Sequence, residues 1–150
     1  MIRDDIKTGL VESMKAKDSV RVAAIRLIQA AIKNRDIEAR TGGAPADDDV
    51  LVMEVLGKMA KQRRESIEMF EKGNRPELAA AEQAELDVIE SFLPKQMSEE
   101  EAKAAVAALV QEAGATSVKD MGAVMALVKA RLQGQIDMSK ASGLVKAALS

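Results

Sequence analysis

Cysteine, histidine, tryptophan and tyrosine are all missing from this sequence of 150 residues. Without thiols or imidazoles it has no disulfide, no zinc site of the usual ligand types, no thiolate nucleophile and no Ser-His-Asp triad. Phe70 and Phe92 are its two aromatics, too few for a face that stacks successive unpaired bases. An excess of one charge is lacking too: 22 Lys and Arg stand against 24 Asp and Glu, so nothing attracts polyanions in general. No apolar run reaches the ~18 residues of a membrane span, and Met1-Ile2-Arg3-Asp4-Asp5 is unlike a signal peptide. These features predict a cytoplasmic protein with no membrane association. Together the absences favour a binding module over an enzyme, with no cofactor and no metal.

What is present is helical. Alanine supplies 26 residues, and the three prolines and most glycines fall between stretches of apolar periodicity. A first helix is expected over about 3–15, with Ile6, Leu10 and Met14 on one side. A second, about 20–40, carries two apolar rows, Val20/Ala24/Leu27/Ala31 and Ile25/Ile28/Ile32, and so reads as a central helix. Thr41-Gly-Gly-Ala-Pro45 interrupts the pattern. Asp47, Asp48 and Asp49 follow it and read as capping residues rather than a cation site, since their spacing is not that of a calcium loop. A third helix extends to about Lys72 and stops at Gly73-Asn74, and Pro76 opens a fourth that runs to about Phe92. Pro94 ends it, and Ser98 with Glu101 is a capping box for the next. The expected architecture is all-α: a four-helix domain over 1–94 containing a long helical hairpin, then a three-helix bundle over 98–150. Half the alanines, 13 of 26, lie in the last third, where small side chains let helices approach.

Three constellations could carry function. On the hairpin, Val52, Leu56, Met59, Ile67 and Phe70 form one stripe interrupted by Arg63. Leu78, Ile89 and Phe92 form the facing stripe, interrupted by Glu82 and Glu85. A pivot near residue 74 brings Arg63 level with Glu85, one turn from Glu82. This is either an ion cluster that fixes helix register or a catalytic acid or ligand pocket, and paired charges at helical spacing favour the first. On the second helix Arg26, Lys33 and Arg40 recur at heptad spacing as a basic stripe, either simply solvated or placed to follow a phosphate backbone, with Asp36 expected to neutralise Arg40 in part. Towards the C-terminus Met121, Val124, Met125, Val128 and Leu132 mark a buried face, and Gly122 is a candidate for a close helix crossing. Lys119, Lys129, Arg131, Lys140 and Lys146 surround that face.

Lys61-Gln-Arg-Arg-Glu-Ser-Ile67, Arg75 with Glu82 and Glu85 ahead of Phe92-Leu-Pro94, Ser98-Glu-Glu-Glu101, Asp120-Met-Gly122, Val124-Met125 and Gly134 followed by Asp137 stand in an order that resembles the GatB/YqeY family, in its free-standing YqeY-like form. The resemblance spans essentially the whole chain; Met138 departs from it where glycine usually follows the aspartate. It implies a helical N-terminal domain and a C-terminal domain similar to the tail of the GatB subunit of tRNA-dependent amidotransferases, which helps hold tRNA. The family label is carbon-nitrogen ligase activity with glutamine as amido-N-donor. The catalytic body that performs that reaction is not among the matching parts, so the expected role is a non-catalytic module. It would bind tRNA, or an amidotransferase or aminoacyl-tRNA synthetase partner, through Lys119, Lys129, Arg131, Lys140 and Lys146 and also Arg26, Lys33 and Arg40. A protein-protein adaptor with no RNA binding is the alternative.

Overall fold

A computed structural model describes residues 1–150 and contains seven α-helices and no strand. They are α1 (Ile2–Lys15), α2 (Ser19–Ala39), α3 (Asp48–Lys72), α4 (Pro76–Ser91), α5 (Glu99–Glu112), α6 (Met121–Leu132) and α7 (Met138–Leu149), with a short 3-10 turn at Val118–Asp120 before α6. None is long and apolar enough to cross a membrane. The helices group into two compact units, Met1–Pro94 and Lys95–Ser150.

In the first unit α1 and α2 pack on the α3–α4 hairpin around Ile6, Ile25, Ile28, Val52, Leu56 and Ile89, all buried. The faces differ in part from the expected stripes. On α1 the buried positions are Ile6, Gly9 and Ser13, while Met14 turns outward. Gly9 is the reason: a Cβ there would lie 2.9 Å from Cζ of Phe92, so the ring occupies the space a side chain would need. The Arg21 guanidinium lies over the Phe92 ring, 5.4 Å from its centroid. On α2 the row through Ile25, Ile28 and Ile32 is buried. Val20 and Leu27 of the second row are exposed, because four helices cannot cover so broad a band. Leu78 of α4 is likewise exposed; Ala79, Leu86, Val88 and Ile89 form its buried face.

The helix ends follow from local chemistry. Asp18 caps α2 by accepting from the Arg21 amide at 3.1 Å, and Asp47 caps α3 by accepting from the Asp49 amide at 2.9 Å. The other two aspartates of the triplet reach across the fold. Asp49 accepts from the Ile2 amide at 3.0 Å, and Asp48 pairs with Arg3. At the hairpin turn the left-handed residue is Asn74, at φ 56°, rather than Gly73.

The second unit is built on Val106, Val124, Val128, Ala141 and Val145, with Met121 and Met125 partly buried against them. Ser98 and Glu101 form a reciprocal capping box on α5, and Asp137 caps α7 by accepting from the Ser139 amide at 2.8 Å. That cap needs only the aspartate, so Met138 in place of glycine is accommodated and packs on the core. Gly122 is not at a close crossing: it is exposed, and a Cβ there would meet nothing within 4 Å.

Candidate nucleic-acid interface

The structure distributes the candidate residues unevenly. In the second unit Lys119, Lys129, Arg131, Lys140 and Lys146 are all exposed. Lys129 and Arg131 are two residues apart on α6, hence ~200° apart around it, and Lys140 and Lys146 are ~120° apart around α7. Arg131 also forms a bidentate pair with Glu112, which raises its pKa further and commits its charge within the protein. Both charges are near the surface, where such pairs add little stability. Nothing in the sequence marks Glu112 as the partner, because it lies 19 residues away on another helix.

The first unit is different. Arg26, Lys33 and Arg40 are exposed along α2, about 10 Å apart at each heptad step. Asp36 does not neutralise Arg40. Arg3 donates to its two oxygens from Nη1 at 2.9 Å and Nη2 at 3.0 Å. The same guanidinium donates to Asp48 from Nε at 3.1 Å and Nη2 at 2.8 Å, so one arginine joins α1, α2 and the start of α3. Hydrogen bonds from Arg3 hold the Asp48 carboxyl below its ordinary pKa. The sequence signal that could have found this hub is weak: an arginine in a first helical turn, where acidic residues are favoured.

Two surface hollows lie along the α1–α2 seam. One, of about 200 Å³, is bordered by Arg3, Ile6, Lys7, Gln29, Ile32, Lys33 and Asp36. The other, of about 500 Å³, is bordered by Met14, Lys17, Ser19, Val22, Ala23 and Arg26. Of the five cations that border these hollows Arg3 is held by Asp36 and Asp48, which leaves Lys7, Lys17, Arg26 and Lys33. In a chain of net charge -2 this concentration is local, and Arg40 extends it along α2. Lys7 and Lys17 carry no motif, so only the packing of α1 on α2 reveals that they join the stripe.

Arg63, Glu82 and Glu85 meet between α3 and α4. Arg63 Nε lies 2.8 Å from Glu85 Oε2 and 3.4 Å from Glu82 Oε2. Neither approach is aligned as a hydrogen bond, so Nε and Glu82 Oε2, both shielded from solvent, are joined by charge rather than by a directed bond. Arg64 pairs with Glu90 at 2.9 Å one residue along. The adjoining crevice, lined by Ala24, Leu27, Met59, Arg63, Glu85 and Ile89, has no room for a molecule the size of water. That geometry suits a register-fixing cluster and leaves no place for a substrate.

A family model described as Yqey-like protein matches residues 3–149. The chain belongs to the YqeY-like family. It is 36% identical over 89 residues to "Altered inheritance of mitochondria protein 41, mitochondrial" of Lachancea thermotolerans, a match covering 59% of this chain and 46% of that protein. It is 36% identical over 88 residues to the protein of the same name in Eremothecium gossypii and 34% identical over 88 residues to that of Saccharomyces cerevisiae, with the same coverage. The matches thus span under half the length of these curated relatives. The expectation of a cytoplasmic protein is overturned here, since these relatives are named as mitochondrial proteins. The physical reason is that composition and helical patterning set which residues are buried, not the compartment in which the protein works. The family is linked to GatB.

Proposed function

We propose that this YqeY-like protein is a non-catalytic helical module that binds tRNA and serves tRNA-dependent amidation, with an amidotransferase or aminoacyl-tRNA synthetase as its protein partner. The observation that carries the reading is the cationic α1–α2 seam, where Lys7, Lys17, Arg26 and Lys33 border adjoining hollows and Arg40 continues the line. Cations at regular spacing on a rigid helix suit the phosphate backbone of folded RNA, whose shape and phosphates are recognised without reading paired bases. Within this reading the seam is the principal contact. Lys119, Lys129, Lys140 and Lys146 are secondary because residues sharing a helix lie on different faces of it, Lys140 and Lys146 being ~120° apart, and Arg131 is secondary because Glu112 holds it.

The adaptor alternative has its own supporting observation. Met69 and Leu78 at the far end of the α3–α4 hairpin are 72% and 41% exposed, and Phe70 lies outside the main core cluster. A gel shift with total tRNA separates the two. Three phosphate contacts predict that affinity falls roughly 40-fold over a fourfold rise in salt. The triple variant Arg26→Ala/Lys33→Ala/Arg40→Ala should weaken binding far more than Lys129→Ala/Lys140→Ala/Lys146→Ala. Absence of binding at low salt removes the RNA reading. Capture of a protein partner that survives nuclease and fails on Met69→Glu then establishes the adaptor.

A further inference from the structure

We propose that the hollow beside the α1–α2 turn receives one unpaired nucleobase of a looped RNA, with Lys17 and Arg26 engaging phosphates next to it. This rests on the RNA-binding reading above and adds which feature of the RNA is recognised. Met14, Val22 and Ala23 are the apolar part of the lining of the hollow, and Lys17, Ser19 and Arg26 the polar part. A track for phosphates needs cations but no apolar floor. Here Met14 is 52% exposed, and the neighbouring Val20 is 57% exposed. Paired RNA keeps its bases stacked inside the helix and would leave this surface wet, whereas a splayed base covers it. The shortage of aromatics is no obstacle at a single position. A methionine sulfur and an arginine guanidinium both pack favourably against a π system, and Met14 and Arg26 border the same hollow.

Lys17 has φ 57°, in the left-handed region, and so has Asn74 at φ 56°. Asparagine tolerates that conformation; lysine does not have its local hydrogen-bonding compensation, and glycine would close the α1–α2 turn with less strain. The conformation is that of a helix C-terminal close, with the Lys17 amide donating to Met14 O and the Asp18 amide to Ser13 O, and it sets Lys17 at the border of the hollow. Lys17→Gly removes the cation while keeping the left-handed turn, so a lost preference for the RNA would not be due to a broken fold.

The full-length chain is titrated at low salt into two labelled RNAs of equal nucleotide number, a hairpin with an unpaired loop and a blunt duplex, with binding read by fluorescence anisotropy. The wild type should bind the hairpin about tenfold more tightly, as expected for one buried base. Met14→Asp should abolish that preference, and Lys17→Gly should lower it to about threefold or less while leaving the melting temperature unchanged or raised. Equal affinity of the wild type for both RNAs, or a preference that survives both substitutions, would overturn the base site while leaving RNA binding in place. If neither RNA binds, the RNA reading falls and the base site falls with it.

Discussion

The two units of this chain are held together by different means. The second rests more on local signals, a capping box at Ser98, a cap at Asp137 and a core of valines and leucines at helical spacing, with two side-chain ties between distant residues, Gln96 to Gly134 and Arg131 to Glu112. The first depends on contacts between residues far apart in sequence. Arg3 joins Asp36 and Asp48, Phe92 lies against Gly9, and Arg63 sits between Glu82 and Glu85. The candidate binding surface arises in the first unit, because packing α1 on α2 is what places Lys7 and Lys17 beside the α2 stripe.

The contrast can be broken most severely at glycine. Gly9→Val should destabilise the first unit by about 2–3 kcal/mol, since the Phe92 ring leaves no space for the new side chain. Hydrogen exchange resolved by residue should show the loss in α1, α2 and α4; equal loss in α6 and α7 would contradict the contrast. Arg3→Ala should follow at about 1–2 kcal/mol in denaturant titrations, a value reduced because the side chains of the hub are 29% to 39% exposed.

The same substitution tests a pH dependence. Asp48 is held below its ordinary value of 3.8 in the folded state, so its contribution is complete above that value and is lost as pH falls through the lowered one. Stability of the wild type should therefore drop more steeply than that of Arg3→Ala below about pH 4. Parallel acid limbs would show that the hub does not act through this carboxylate.

In the second unit effects should be smaller. Ser98→Ala removes the acceptor for the Glu101 amide and should cost about 1 kcal/mol, seen as fraying at the start of α5. Gly143→Ala should stabilise α7 by about 0.5–1 kcal/mol, because the site is open and alanine favours the helix. A loss of stability there would mean that glycine in the second unit also marks a close approach, as Gly9 does in the first.

Much of the fold is legible before any coordinates. Ser98 marks a helix start because a cap acts over two or three residues, and Pro76 and Pro94 act on their immediate neighbours. The ion cluster is legible for a related reason: a hairpin with a short turn fixes which residues of its two helices are level, so Arg63, Glu82 and Glu85 can be matched by counting from residue 74. The exposure of Val20, Leu27 and Leu78 is not legible, because apolar periodicity says which residues could be covered and not whether another helix arrives to cover them. Nor is the fate of Asp36, which helical spacing assigns to Arg40 and the fold gives to Arg3.

By itself the sequence determined that this protein is helical, where its helices begin and end, and that its chemistry excludes thiol and imidazole groups. Only the tertiary structure decided which charges are spent inside the molecule and which remain at its surface. Caps and turns depend on neighbours in the chain, whereas the balance of Arg131 against Glu112, or of Lys7 and Lys17 beside Arg26 and Lys33, depends on which helices lie side by side.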